Sequence, residues 1–411
     1  MAPGNLYALR LLPALTTAVT ITTGALLVRE LGGDRRLVVL GAGTVASGGF
    51  VLGVGHLLST AVFDLTAWMV LLWIVARLLR TGDARLWLAY GLVAGLAMEN
   101  KNLVVLLTAS LAVGLVAGRR WDVLRSPWLL AGGATALVLA APNLLWQADH
   151  GWPQQQMAKA LEARIGTENR TTLLPLQLLF VGPFLVPALV RGARRLARDA
   201  TFRPLLWAWP AGVVAALVTG GRPYYVLPLT TVVALAGVAS SDDRQGGRLP
   251  WLVAANAAMS VLLAIPVLPQ SQVEIAASVN EVAAEQVGWT QLVDQIEGVI
   301  ATLPADEQAS AVVLTGSYGE AGAYDLYGDR PAYSPHNSYA DFRIPPDDTA
   351  TVVAVRLSVE ELDPWFDDCE QVATVDNGLD IQNEVQGEPI VVCRGLHGHW
   401  PDVWQELRFL S

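Results

Sequence analysis

Ser126–Ala148 reads SPWLLAGGATALVLAAPNLLWQA, 23 residues without Asp, Glu, Lys or Arg, closed by Arg125 on one side and Asp149 on the other. A helix of this length crosses the hydrocarbon layer of a bilayer, which takes roughly 20 apolar residues and penalises a buried charge heavily. Working outward, further runs free of those four residues cover 11–28, 37–63, 65–76, 86–98, 102–118, 171–190, 204–221, 223–241 and 249–273. With 126–148 they predict about ten spans. Runs 65–76 and 86–98 are short for a crossing, which puts Asp64 and Arg77 near the ends of one helix and Glu99 near the end of another.

The composition agrees. Of 411 residues, 53% are hydrophobic and only 16% charged, with a mean hydropathy of +0.41, whereas a soluble globular chain carries about a quarter charged residues. The net charge of −10 sums two regions of opposite sign. Residues 1–270 hold 22 Lys/Arg against 12 Asp/Glu, and residues 271–411 hold 5 against 25. The chain therefore divides into a basic transmembrane helical bundle, 1–270, and an acidic soluble domain, 271–411. Apolar runs at Ala311–Thr315, Thr351–Val355 and Pro389–Cys393 alternate with helical spacing at Glu281–Ile300, Tyr318–Tyr327 and Trp400–Phe409, so the second domain reads as α/β. Polar breaks fall at Ser240–Arg248 and Pro266–Gln272, and no internal repeat is present. An acidic domain argues against nucleic acid as a partner.

Loops rich in Lys and Arg stay cytoplasmic. The alternate loops 29–36, 77–85, 119–125, 191–203 and 242–248 hold 16 cations; the other set holds six, Arg10, Lys101, Lys159, Arg164, Arg170 and Arg222. An even number of spans then puts both termini outside the cytoplasm, with the acidic domain extracytoplasmic on a multi-pass protein of the cell membrane. Met1–Arg10 carries neither a basic n-region nor a cleavage site. The start is read either as an outward N-terminus or as lying downstream of a missing span.

Polar residues gather in the outer loops, where each needs a partner or a water-filled cavity. These are Gly55–Asp64, with His56 and Asp64; Glu99-Asn100-Lys101; Asp149–Pro153, with His150 and Trp152; and Gly220–Tyr225, with Arg222, Tyr224 and Tyr225. Lys101 and Arg222 interrupt the positive-inside pattern, and outer-side cations between short spans suit a lipid phosphate at headgroup depth. Arg222 also fits a snorkelling helix-end residue. Lys101 is expected to pair with Glu99. Asp64 suits an acid, a base or an acceptor toward a sugar hydroxyl, or simply a charge favoured by a helix N-terminus. His56 has no second His or Cys nearby, so a metal site is unsupported, and Trp152 has the character of an interfacial belt residue. The stretch Gly316–Gly322 reads as a structural turn rather than an anion-binding loop. Cys369 and Cys393, both in the outer domain and 24 residues apart, permit a disulfide; two buried free thiols are the alternative.

These segments carry a resemblance. Leu9-Arg10-Leu11-Leu12, the GHLLST…FD loop at 55–64, the helix ending in Asn100-Lys101, Pro142–Gln147 followed by His150-Gly151-Trp152-Pro153, and Gly220–Pro228 together resemble bacterial family 39-type glycosyltransferases. These are GT-C membrane enzymes related to protein O-mannosyltransferases and to the lipid A aminoarabinose transferase. Thr315–Gly322 and His336–Tyr339 resemble the soluble region of that branch. The resemblance implies a polyprenyl-phosphate-sugar donor, an extracytoplasmic acceptor of unknown identity, membrane lipid as surroundings, and no nucleotide sugar, metal or other cofactor. It also implies that Lys101 and Arg222, with Tyr224 and Tyr225 beside them, hold the donor phosphate, and that His56, Glu99, Asn100, His150 and Trp152 line the site. The family's Thr-Asp-Pro is replaced here by Thr60-Ala61-Val62, which leaves Asp64 as the nearby carboxylate. The family's first span and first outer loop, which holds its usual base, have no counterpart. The expectation from the sequence is thus a glycosyltransferase chain that is inactive as written. A transporter or flippase for a lipid-linked sugar and a non-catalytic scaffold or sensor are the alternatives.

The topology has a direct test. Reporters active on one side of the membrane, placed after Arg120 and after Ser411, are expected to report opposite sides; the same side for both contradicts the orientation.

Overall fold

In the computed structural model, residues 6–241, 247–265, 267, 269, 273–277 and 280–410 are described. Most of the Pro266–Gln272 linker, most of the Ser240–Arg248 loop and Met1–Asn5 lie outside them. The chain divides into two compact units, Leu6–Val267 and Leu268–Ser411.

The first unit is helical: α1 (Leu6–Glu30), α2 (Arg35–Ala46), α3 (Gly49–Val54), α4 (Thr60–Thr81), α5 (Leu86–Asn100), α6 (Val104–Ala117), α7 (Trp121–Leu124), α8 (Pro127–Asp149), α9 (Pro153–Val181), α10 (Val186–Arg198), α11 (Arg203–Thr219), α12 (Leu227–Ala239) and α13 (Leu249–Ala264). Asp64 is the fifth residue of α4 and Arg77 the fifth from its end, near the two ends as the short run between them requires. Glu99 falls in the last turn of α5.

The runs do not become ten full crossings. Among the described residues three helices are long and apolar enough by themselves, Tyr7–Glu30, Thr60–Thr81 and Pro127–Asp149. A fourth candidate is a broken pair, Pro153–Val181 with Pro183–Arg198, bent by 82°. Val104–Ala117, Arg203–Thr219, Pro223–Ala239 and Leu249–Ala264 are apolar but shorter. The run 37–63 fails because the helix stops at Ser47-Gly48, giving α2 and α3; the run 171–190 fails at Gly182-Pro183. A break frees backbone carbonyls that an apolar environment cannot solvate. One buried side chain serves both breaks: the Asn256 amide of α13 donates to the Ser47 carbonyl at 2.8 Å and to the Val181 carbonyl at 3.2 Å. Gly182 adopts φ +116°, and a Cβ there would lie 1.8 Å from Asn256 Oδ1.

Small residues let the helices close on one another. A Cβ on Gly91 of α5 would lie 2.0 Å from the Gly132 carbonyl of α8, and one on Gly192 of α10 would lie 1.8 Å from the Val233 carbonyl of α12. Polar pairs fix α1 against α4. Thr20 and Thr66 hydroxyls meet at 2.6 Å, and buried Glu30 takes Arg80 at 2.5 Å and Arg77 at 3.4 Å.

The second unit holds α14 (Val273–Ala277), α15 (Trp289–Thr302), α16 (Ala305–Ser310), α17 (Tyr318–Tyr327), α18 (Val359–Leu362) and α19 (Trp400–Leu407) around five strands. These are β1 (Val312–Thr315), β2 (Ala332–Tyr333), β3 (Thr351–Val355), β4 (Phe366–Thr374) and β5 (Pro389–Leu396), in the order β2-β1-β3-β5-β4. β1 runs parallel to β2 and β3, while β5 is antiparallel to β3 and β4. Alternation sorts the strand residues onto two faces. Val313, Val353, Val355 and Val392 pack against Leu292, Ile296 and Ile300 of α15 and Tyr324 of α17. Leu314, Val352, Ala354 and Val391 pack against Trp400, Val403 and Trp404 of α19.

The stretch Glu281–Ile300 is not one helix: a 3-10 turn ends before Gly288, at φ +92°, and α15 begins at Trp289. In the Gly316–Gly322 stretch a short turn at Gly316-Ser317 leads into α17 at Tyr318, and the N–H groups at that junction are occupied. Gly316 donates to the Val355 carbonyl at 2.8 Å, and Tyr318 to His336 Nδ1 at 3.4 Å. Gly319 donates at 3.0 Å to the Ser317 hydroxyl that caps α17. Cys393 lies within β5 rather than at its end, directly opposite Cys369 of β4, and the two sulfurs are bonded.

Alkylation before reduction is expected to leave both cysteines unmodified. The C369S/C393S double variant should lose about 3 kcal/mol of stability in the second unit, read by chemical denaturation. Full alkylation without reduction contradicts the bridge.

Candidate functional site

Lys101 closes α5 in extended backbone, at φ −162°, and projects onto two tyrosines of the 3-10 turn Pro223–Val226. Its Nζ donates to the Tyr224 hydroxyl at 3.3 Å and lies 5.5 and 4.8 Å from the centroids of the Tyr224 and Tyr225 rings. A cation over a ring face at this range is held by the ring quadrupole. The tyrosine rings meet edge to face at 4.9 Å. Phe50 of α3 stacks on Tyr224 at 4.9 Å and touches Phe180 of α9 at 5.1 Å. An aromatic row therefore leads from α9 to the ammonium.

The turn that presents the tyrosines is pinned from α9. Asn169 donates to the Gly220 carbonyl at 2.9 Å and Arg170 Nε to the Leu217 carbonyl at 2.9 Å. Gln177, eight residues beyond Asn169 and so on the same helix face, donates to the Pro223 carbonyl at 2.5 Å. Gln177 in turn accepts from Thr230 at 2.7 Å, and Thr230 accepts from the Trp209 indole at 3.0 Å. Gly220 takes φ +62°, and a Cβ there would press on Glu162 and Gly166.

Asp64 faces the charge of Lys101 and is 5% exposed. Its Oδ1 has no hydrogen-bond partner among the described residues. The buried Trp68 indole, one turn on in α4, acts on the carboxyl. Arg222 is part-exposed and acts electrostatically on both tyrosines. Neither Lys101 nor Arg222 makes an ion pair with a described residue.

The four outer loops read from the sequence are joined. Asn100 donates to the Thr60 carbonyl at 3.0 Å, tying the end of α5 to the start of the helix that carries Asp64. The Asn102 N–H donates to Gln154 at 3.1 Å, tying the same corner to the first turn of α9. The expected pairing of Glu99 with Lys101 does not form: Glu99 is exposed, since residues two apart at a helix end point to opposite sides. His56 Nδ1 lies 3.2 Å from the Leu52 carbonyl. His150 stacks on Trp146 at 4.3 Å, its Nδ1 2.7 Å from the Trp146 carbonyl. Trp152, at φ +61°, turns the chain into α9. These contacts of His56, His150 and Trp152 lie within their own segments. Among the described residues no group of three His, Cys, Asp or Glu is placed to hold a metal.

Residues that the charge pattern did not single out are Asn169, Gln177, Phe50, Phe180 and Trp68. The signal for Gln177 was its place in the apolar stretch Leu173–Val181, where a buried polar side chain needs a partner; Asn169 lies in the polar stretch Thr167–Thr172 and carried no such signal.

Two solved structures of ArnT from Cupriavidus metallidurans superpose on this architecture. The apo form is 16% identical, with 93% of this chain and 83% of that chain covered and a TM-score of 0.57. The form bound to undecaprenyl phosphate is 17% identical, with 94% and 84% covered and a TM-score of 0.58. The chain shares the ArnT fold. Residues 3–146, which hold Asp64 and Lys101, match the family model of dolichyl-phosphate-mannose-protein mannosyltransferase. No curated protein matches the chain.

Gln177→Leu leaves the buried Pro223 carbonyl without its donor, at a cost of about 1–3 kcal/mol. Its expected signature is a lower unfolding temperature in detergent, with Gln177→Glu, which keeps one acceptor but loses the amide donor, behaving alike. An unchanged unfolding temperature in both contradicts the pinning role.

Proposed function

We propose that the chain is a membrane glycosyltransferase that moves a sugar from a polyprenyl-phosphate carrier to an acceptor outside the cytoplasm. The observation that carries this reading is the pair of cations without a carboxylate partner, Lys101 and Arg222, set beside the buried carboxyl of Asp64. The match over residues 3–146 and the shared fold with a protein crystallised with undecaprenyl phosphate support it.

In this reading the acceptor oxygen attacks the anomeric carbon of the donor as the bond from that carbon to the phosphate oxygen breaks. The departing polyprenyl phosphate gains negative charge. Lys101, fixed between two rings and a tyrosine hydroxyl, keeps two of its three N–H groups for that charge, and Arg222 offers a planar fork of donors. Prepositioned donors aimed at a developing charge stabilise the transition state without reorganising. Asp64 takes the proton of the acceptor hydroxyl. Its unpartnered Oδ1 is free to do so. The bundle lies in the cell membrane with the acidic domain extracytoplasmic, which puts the site on the side where the 16-to-six cation split leaves few competing charges.

The test uses undecaprenyl phosphate and undecaprenol on the full chain in detergent micelles, read by native mass spectrometry. The phosphate form is expected to bind and the alcohol not. Lys101→Gln and Arg222→Gln should each weaken binding by about tenfold or more, since a hydrogen bond to a charged group contributes ~1.5–3 kcal/mol. Asp64→Asn should leave that binding in place while lowering transfer from a polyprenyl-phosphate sugar by ~10²–10⁴-fold. Equal binding of phosphate and alcohol, or unaltered binding in both cation variants, refutes the phosphate role.

A further inference from the structure

α10 carries a second group of cations that the proposed reaction does not use. Its sequence, VPALVRGARRLAR, buries Ala188, Leu189, Gly192 and Leu196 and leaves Arg191, Arg194, Arg195 and Arg198 on the other side. The burial is tight: a Cβ on Gly237 of α12 would lie 1.8 Å from the Ala188 carbonyl, matching the contact at Gly192. The arginine row is therefore held in one direction by backbone-to-backbone packing. Spacings of three, four and seven residues set it as one stripe.

The four arginines are not equivalent. Arg195 is consumed by the fold, donating to the carbonyls of Leu31 and Ala236 at the ends of α1 and α12. Arg191 reaches the Ser241 hydroxyl. Arg194 and Arg198 are exposed and make no hydrogen bond or ion pair with a described residue. They border a cavity of about 890 Å³ lined also by Val186, Pro187, Val190 and Asp199. Asp199, whose carboxylate accepts the N–H groups of Thr201 and Phe202 at 2.9 and 3.3 Å and attracts Arg195, is one negative charge against four positive ones, so the row stays cationic.

The lining changes character along its length. Val186, Pro187 and Val190 form an apolar end, the guanidinium groups a cationic one, and Phe184 just ahead is 41% exposed. A free anion uses only the second end. A molecule with a phosphate and a hydrocarbon tail uses both. The helix that bears the cavity leaves α9 at 82°, and its division into one buried apolar side and one arginine side is the pattern of an amphipathic helix at an interface.

We propose that this cavity binds the headgroup of an anionic glycerophospholipid, its phosphate between Arg194 and Arg198 and the glycerol end of its acyl chains on Val186, Pro187 and Val190. The proposal is independent of the glycosyl-transfer reading: it uses other helices and another ligand.

The experiment titrates the full chain in detergent micelles with phosphatidylglycerol, phosphatidylcholine and inorganic phosphate, with bound adducts counted by native mass spectrometry. Phosphatidylglycerol is expected to be retained in preference to phosphatidylcholine. The R194Q/R198Q variant should weaken it on the order of twentyfold, as each surface cation contributes about fivefold, and R194K/R198K should keep most of the preference. Millimolar inorganic phosphate should not displace the lipid. Unfolding temperatures of the variants are measured alongside, and a Gln variant that is as stable as the wild type yet loses the lipid supports the site. Equal retention of the two lipids, an undiminished preference in the stable Gln variant, or displacement by inorganic phosphate overturns it. Arg222→Gln, at the other site, should leave the preference unchanged.

Discussion

A helix that stops inside an apolar medium must find partners for the carbonyls it frees, and three side-chain amides meet that demand here. Asn256 serves the ends of α2 and α9 together. Asn169 and Gln177 serve the turn between α11 and α12. Without such donors each break would leave a buried carbonyl unsatisfied, at a cost of several kcal/mol in hydrocarbon. The breaks matter because an unbroken bundle would carry its side chains on helix faces only. Irregular backbone at Gly48, Gly182 and Gly220–Val226 brings Phe50, Phe180 and Tyr224 into one row.

That row explains why Lys101 is available. An ammonium at a helix end ordinarily finds a carboxylate, and Glu99 is two residues away. Helix geometry turns Glu99 outward, while the two tyrosine rings offer a neutral surface that holds the cation without neutralising it. The same principle governs the far end of the bundle, where buried Glu30 is fully engaged by Arg77 and Arg80. There the charges pair and act structurally; at Lys101 and Arg222 they do not pair.

Much of this was legible in the sequence. Charge-free runs located most of the helices, and the position of Asp64 and Arg77 at opposite ends of α4 followed from run length alone. Short apolar runs found β1, β3 and β5. What charge counting missed was neutral: the stops at Ser47-Gly48 and Gly182-Pro183 and the Asn256 that serves both lie inside charge-free runs, so those breaks were invisible and ten full crossings were expected. β4 was missed for another reason. FDDCEQVAT is an edge strand with mostly exposed side chains, so it lacks the apolar alternation that marks a buried one. β2 has two residues and no pattern to read. The partnership of Lys101 with Tyr224 spans 123 positions, and no local spacing encodes it.

The central claim is that Lys101 and Arg222 hold a polyprenyl phosphate, and locating that phosphate tests it most directly. An experimental structure of the full chain with undecaprenyl phosphate should place the phosphorus within hydrogen-bond reach of Lys101 Nζ and the Arg222 guanidinium, with the chain's tail leaving along the bundle. A phosphate seated away from both residues, for example between Arg194 and Arg198, would contradict the account.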